Sequence, residues 1–163
     1  MKISGLQGGR MVYSVDSSEK GAEVGLGRIL NREIFLYLLD LEVKRARRYQ
    51  NFFSVLILKL VQLSRKDNGS GLHNCYNQLS HLSQEEFRES DLLGSVGEDM
   101  LVALLPYADV SAGGKARSHF EASLEYYDFK KEGYEVRIDH ICFPMDGTDT
   151  QSLIKKVIGR EAN

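Results

Sequence analysis

The fifteen residues from Leu92 to Pro106, LLGSVGEDMLVALLP, constrain this chain more than any others. Two apolar runs, Leu92 to Val96 and Met100 to Leu105, flank the short polar stretch Gly97-Glu98-Asp99. Two runs of strand length joined by so few residues form an antiparallel hairpin. Gly97 is expected as the first central residue of a two-residue type II′ loop, a position that requires φ > 0. Pro106 ends the second strand because it has no N–H for the ladder. Just before the hairpin stands Arg88-Glu89-Ser90-Asp91, a guanidinium and a carboxylate three positions apart.

The remaining elements arrange themselves around that hairpin. From Asn31 to about Tyr49 the pattern is helical, with Ile34, Leu38, Leu41 and Arg45 on one face and Phe35, Leu39 and Val43 adjoining it. Asn31 is the N-cap, and the basic end Lys44, Arg45, Arg47 and Arg48 suits the negative end of the helix dipole. Phe52 to Leu60 is nearly all apolar, as in a strand covered on both faces. Ser64 to Gly71 reads as a polar loop. Cys75 to Phe87 reads as a second helix with Tyr76, Leu79, Leu82 and Phe87 facing in. Asp109 to about Tyr126 is a third helix, weakened at its start by Gly113-Gly114. Val136 to Phe143 alternates as a strand, Asp146-Gly147 turns, and Ser152 to Ile158 is a short last helix. The order is a helix followed by β-α-β-β-α-β. That defines an α+β fold with a ferredoxin-like core, an antiparallel sheet with helices on one face.

Composition sets the outer limits. A chain of 163 residues is long enough for one domain with a real core and short for two. A formal net charge of -2 argues against a partner that is a nucleic-acid polymer. No apolar run approaches the roughly 20 residues of a membrane span, and MKISGLQGGR lacks a signal-peptide core. Two cysteines, Cys75 and Cys142, with no CxxC, fit a reducing, cytoplasmic setting. His73 and Cys75 have no further ligands nearby in sequence for a zinc site, and His140 reads as a packed or hydrogen-bonded strand residue. The glycine- and serine-rich residues 1–23 form a tail or tether. Gly8-Gly9 would turn a hairpin between Lys2-Ile3 and Met11-Val12-Tyr13, and a disordered tether is the other reading.

With the elements in order, residues 24–163 read as one domain, which from about Val24 to Ile158 resembles the GGDEF family, the domains that join two GTP molecules into cyclic di-GMP. Five pieces carry the likeness. Leu26-Gly27-Arg28-Ile29-Leu30-Asn31-Arg32-Glu33-Ile34-Phe35 is similar to the opening LTGLxNRxxF, and Glu42 to Tyr49 to the basic end of the first helix. Phe53 to Leu60 is similar to the first strand, Asp91 to Pro106 to DLxxRxGGDEFxxLLP, and Phe143-Pro144-Met145-Asp146-Gly147 to YPxDG.

The departures fall where the resemblance implies catalysis. The family's first strand ends in DxDxFK, whose leading acid holds Mg²⁺; here the segment reads Lys59-Leu60-Val61-Gln62-Leu63-Ser64. GGDEF has become Gly97-Glu98-Asp99-Met100-Leu101, so the second acid is a methionine and a glycine is a glutamate. The GHxxGD loop has no counterpart around Leu72-His73-Asn74, and Arg137 and Asp139 replace small residues of the family pattern. Phosphoryl transfer needs metal ions on the phosphates, and Mg²⁺ needs oxygen ligands. An ammonium about 4 Å from a cation costs about 4 kcal/mol per unit charge at an effective dielectric near 20. Met100 offers only a soft thioether. The expectation is a domain without cyclase activity, catalytic residues, metal or cofactor.

What the resemblance leaves intact is the RxxD. In the family this motif, five residues before the hairpin, forms the inhibitory product site, and Leu92 to Val96 keep that spacing. A guanidinium can fork onto guanine O6 and N7 or grip a phosphate, and a carboxylate accepts from guanine N1–H and N2–H. Arg88 and Asp91 are therefore the expected cyclic di-GMP ligands. A basic residue of the following helix joins them: Arg117, with Lys115 and His119 as rivals. The bland reading of an Arg–Asp pair is a surface ion pair worth about 0–1 kcal/mol. The function implied is a cyclic di-GMP receptor in bacterial second-messenger signalling, acting on a protein partner or as a homodimer. The alternative is a docking or dimerisation module indifferent to nucleotides, and the third reading is residual GTP binding or turnover.

Overall fold

The computed structural model describes residues 2–7, 10–14, 27–64 and 70–159. Two strands, β1 (Lys2–Gln7) and β2 (Arg10–Ser14), pair antiparallel as a ladder of their own. The expected Gly8-Gly9 turn between them lies outside the described residues. The remaining elements are β3 (Ile29–Leu30), α1 (Arg32–Tyr49), β4 (Phe53–Gln62), α2 (Ser70–Glu86), β5 (Leu92–Gly97), β6 (Met100–Pro106), α3 (Val110–Leu124), β7 (Tyr134–Phe143) and α4 (Thr150–Ile158). A 3-10 turn at Lys130–Glu132 precedes β7.

The five-stranded sheet runs β3-β5-β6-β4-β7. Only β3 is parallel to its neighbour; the other contacts are antiparallel. Removing β3 leaves the expected β-α-β-β-α-β core, with β4 central and flanked by β6 and β7.

The expectation of helices on one face is corrected. Alternate residues of β4 feed two separate cores. Leu56, Leu58 and Leu60 face α2 and α3, with Cys75, Leu79 and Phe120. Phe53, Val55 and Ile57 face α1 and α4, with Phe35, Leu39, Leu153 and Val157. A strand apolar at almost every position demands cover on both sides, so the sheet is a middle layer.

The helix starts follow local chemistry. Asn31 caps α1 by accepting Ile34 N–H at 2.9 Å, Asp109 caps α3 through Ala112 N–H at 2.8 Å, and Asp149 caps α4 through Ser152 N–H at 2.7 Å. The buried stripe of α1 is Phe35, Leu39, Val43 and Ala46; Leu41 and Arg45 are exposed, so the inward face is rotated from the expected Ile34-Leu38-Leu41-Arg45 line. Gly94 on β5 lets that stripe come close, since a Cβ there would sit 2.5 Å from the Phe35 ring.

The hairpin is present but its turn is not the expected one. Gly97 pairs with Met100 as the last residue of β5, leaving Glu98 and Asp99 as the loop. An irregularity between Ser95 and Gly97 inserts one residue into β5, which moves the turn along by one. Among the described residues the positive φ glycines are Gly27 and Gly133, not Gly97. No helix among the described residues is long and apolar enough to cross a membrane.

Candidate functional site

Two ends of the sheet matter. At one end lie the β5–β6 turn and Lys59, which is the cross-strand partner of both Met100 and Arg137. At the other, β5 begins and β6 ends, and α2 and α3 approach each other.

The turn end holds the positions at which the resemblance expects metal-holding acids. Met100 is fully buried, in the core that includes Phe35 and Val96. The Asp99 carbonyl accepts Leu60 N–H at 2.8 Å, tying the turn to β4. A buried thioether and an ammonium do not fit a divalent cation that wants oxygen donors. Among the described residues, no cluster of three or more His, Cys, Asp or Glu side chains is placed to hold a metal ion.

The opposite end carries a groove of about 390 Å³ between the α2–β5 junction and α3. Its floor is apolar: Phe87 and Phe120 stack with centroids 5.2 Å apart. The small side chains of Ala112 and Ala116 keep the α3 wall open. Glu86, Arg88, Asp91 and Lys115 bring charge to the rim, and His119 brings an imidazole.

The Arg88–Asp91 motif is folded as a tight turn. Asp91 Oδ2 accepts the Arg88 N–H at 2.9 Å, and Asp91 N–H donates back to the Arg88 carbonyl at 3.0 Å. The Arg88 side chain is exposed and makes no hydrogen bond or ion pair among the described residues. Burial pushes the Asp91 carboxyl above its usual range; the Arg88 N–H and the charges of Arg88 and Arg28 pull the other way. Arg28, for which the sequence predicts no role, stands close by. It donates from Nη2 to the Phe87 carbonyl at 3.0 Å, and its buried Nε has no hydrogen-bond partner. The signal was only an arginine beside a turn glycine, Gly27, at φ 55.

Of the three candidate cations on α3, the expected one is outside the groove. Arg117 bonds Glu121 at 2.9 Å and does not line the cavity. It falls one helical turn after Gly113, which packs on His140 of β7, so that stripe faces the sheet edge. Lys115 and His119 share the groove face with Ala112 and Ala116. His119 Nε2 lies 2.9 Å from Glu86 Oε2, which joins α3 to the end of α2 across the groove.

His140 is a hydrogen-bonded strand residue, as expected. Its Nε2 lies 2.8 Å from Ser54 Oγ, which donates to the Ala108 carbonyl at 3.0 Å. Burial lowers its pKa, the more so with Arg117 near, while Asp146 opposes the shift.

No protein-family model matches the chain, and no curated protein matches it. Solved structures do. The GGDEF domain of FimX from Pseudomonas aeruginosa superposes with a TM-score of 0.69 at 18% identity, covering 82% of this chain and 87% of that one. A DGC protein from Thermotoga maritima gives 0.68 at 17% identity, over 83% and 97% of the two chains. A microbial GGDEF domain described in an interaction with cyclic di-GMP gives 0.57 at 16% identity, over 82% and 83%. The chain therefore has the fold of the GGDEF domains, the class that includes diguanylate cyclases. At these identities the likeness is one of fold.

Proposed function

We propose that this domain is a catalytically inactive member of the GGDEF class that serves as a cyclic di-GMP receptor in bacterial signalling, in the cytoplasm. The observation that carries the reading is the groove that gathers Arg88 and Asp91 on one rim and Lys115 and His119 on the other. An unheld guanidinium is free to fork onto a guanine Hoogsteen edge or a phosphate. The Asp91 carboxylate keeps a second oxygen for guanine N1–H and N2–H. Lys115 sits on the same cavity and adds a point charge for a phosphate. Lys115 takes this role in place of Arg117, which lies outside the groove, and His119, itself beside Glu86, lines the same wall.

Inactivity rests on the turn end. Lys59 and Met100 stand where acids would hold Mg²⁺, and the burial of Met100 leaves no opening for a replacement ligand. The bound ligand acts by changing contacts with a protein partner or a second copy of the chain, because the groove joins two helices rather than enclosing a reaction. Titration calorimetry with cyclic di-GMP tests the receptor reading. The expected result is micromolar or tighter binding that Arg88→Ala abolishes. Absence of heat, or equal affinity in the variant, refutes it. Incubation with GTP and Mg²⁺ tests the inactivity, and production of cyclic di-GMP would overturn it.

A further inference from the structure

We propose that Tyr107 is a stacking platform for a purine base in this groove, an assignment that rests on the receptor reading above. The residue sits where its local chemistry does not favour it. Ala108 N–H donates to the Leu105 carbonyl at 3.4 Å, which closes a four-residue turn after β6. Pro106 occupies the second position of that turn and Tyr107 the third, at φ 59. Proline followed by a positive φ is the pattern of a type II turn, whose third position takes glycine or asparagine. A bulky side chain with that φ is an outlier.

Burial does not compensate the strain. Tyr107 is 62% exposed, and no other ring stacks on it among the described residues. The turn itself is fixed from beneath, because Ser54 Oγ donates to the carbonyls of Ala108 and Asp109 at 3.0 and 3.2 Å. The phenol is thus carried by an anchored turn, and Tyr107 lines the same cavity as Arg88 and Asp91.

The combination fits one ligand chemistry. A planar heterocycle can lay its face on the Tyr107 ring while Arg88 and Asp91 meet its hydrogen-bonding edge. Aromatic stacking alone tolerates any base, and the Arg–Asp edge supplies the choice of guanine. Tyr107 contributes affinity in this arrangement and Arg88 with Asp91 contribute specificity. This role was not visible in the sequence, where Pro106-Tyr107 reads only as the end of a strand.

Substitution separates the ring from the backbone. Tyr107→Gly and Tyr107→Asn suit the positive φ, so both are expected to fold with a melting temperature no lower than wild type. Both should bind cyclic di-GMP about tenfold more weakly. Tyr107→Phe should bind as the wild type does. The chain contains no tryptophan, so Tyr107→Trp supplies a single indole whose fluorescence should be quenched on ligand addition. If Tyr107→Gly and Tyr107→Asn bind as tightly as wild type while Arg88→Ala does not, the stacking role is wrong and the receptor reading stands. A wild-type chain that binds no cyclic di-GMP overturns both.

Discussion

The Asp91 carboxylate accepts the backbone N–H of Arg88 at 2.9 Å, while the Arg88 guanidinium stands exposed and unheld. The two halves of the motif therefore do different work without ligand: Asp91 shapes the turn, and Arg88 waits at its rim. Arg88→Ala should leave stability within about 0.5 kcal/mol of wild type and abolish cyclic di-GMP binding. Asp91→Ala should lower stability by about 1 kcal/mol through loss of the turn hydrogen bond, and weaken binding as well. Urea denaturation beside calorimetry reads both. Equal destabilisation by the two variants would contradict the division of roles.

Binding should depend on pH through Asp91. Burial raises its pKa above 3.8 despite the Arg88 N–H and the neighbouring guanidiniums. The folded state then holds the proton more tightly than the unfolded chain, so this group favours folding at acid pH and loses that contribution as pH rises through its folded pKa. Ligand binding runs the other way, because guanine N–H donors need the carboxylate. Affinity should begin to fall, on acidification, at a pH above the ordinary aspartate value. Dissociation constants measured between about pH 4 and 7 test this. Asp91→Asn, which keeps an oxygen for the Arg88 N–H, should flatten the profile.

The outline of the fold was legible because β4 to β6 carry continuous apolar runs and a proline stop, β7 alternates, and Asn31 caps α1. What the sequence left unread depended on how elements meet. A one-residue insertion near Val96 decides that Gly97 ends a strand rather than opening a turn. The rotation of α3 on the sheet decides that Lys115 and His119, not Arg117, enter the groove. That rotation is fixed by Gly113 against His140, residues 27 positions apart in the sequence. Arg28 comes beside Phe87 and Asp91, behind the groove lining, only because β3 pairs with β5. That Arg88 and Asp91 stand together at the groove was readable because the two lie in one short motif at a strand entrance.

An acid placed at Met100 should unsettle the fold rather than supply a metal ligand. Met100 is fully buried between α1 and the sheet. Met100→Glu places a carboxylate there without a partner, and an unpaired buried charge costs about 3–5 kcal/mol. The variant should unfold at markedly lower urea concentration, whereas Met100→Leu should stay within about 1.5 kcal/mol of wild type. A Met100→Glu protein as stable as wild type would show that this position opens to water or metal more readily than its packing implies.

Gly113 and Gly114 are adjacent on α3 and should respond oppositely to alanine. A Cβ on Gly113 would lie 2.2 Å from His140 Nε2 and 2.4 Å from Ser54 Oγ, whereas one on Gly114 would meet nothing within 4 Å. Gly114→Ala should stabilise the protein by about 0.5–1 kcal/mol, because glycine is the more flexible in the unfolded chain. Gly113→Ala must push α3 off the sheet or break the His140–Ser54 contact, for a loss of about 1–3 kcal/mol. Because α3 carries Lys115 and His119, that displacement should also weaken cyclic di-GMP binding, while Gly114→Ala leaves it unchanged. Urea denaturation and calorimetry on the pair give both readouts. If the two alanines shift stability by the same amount, α3 is not seated on His140 and Arg117 is not held out of the groove by that contact.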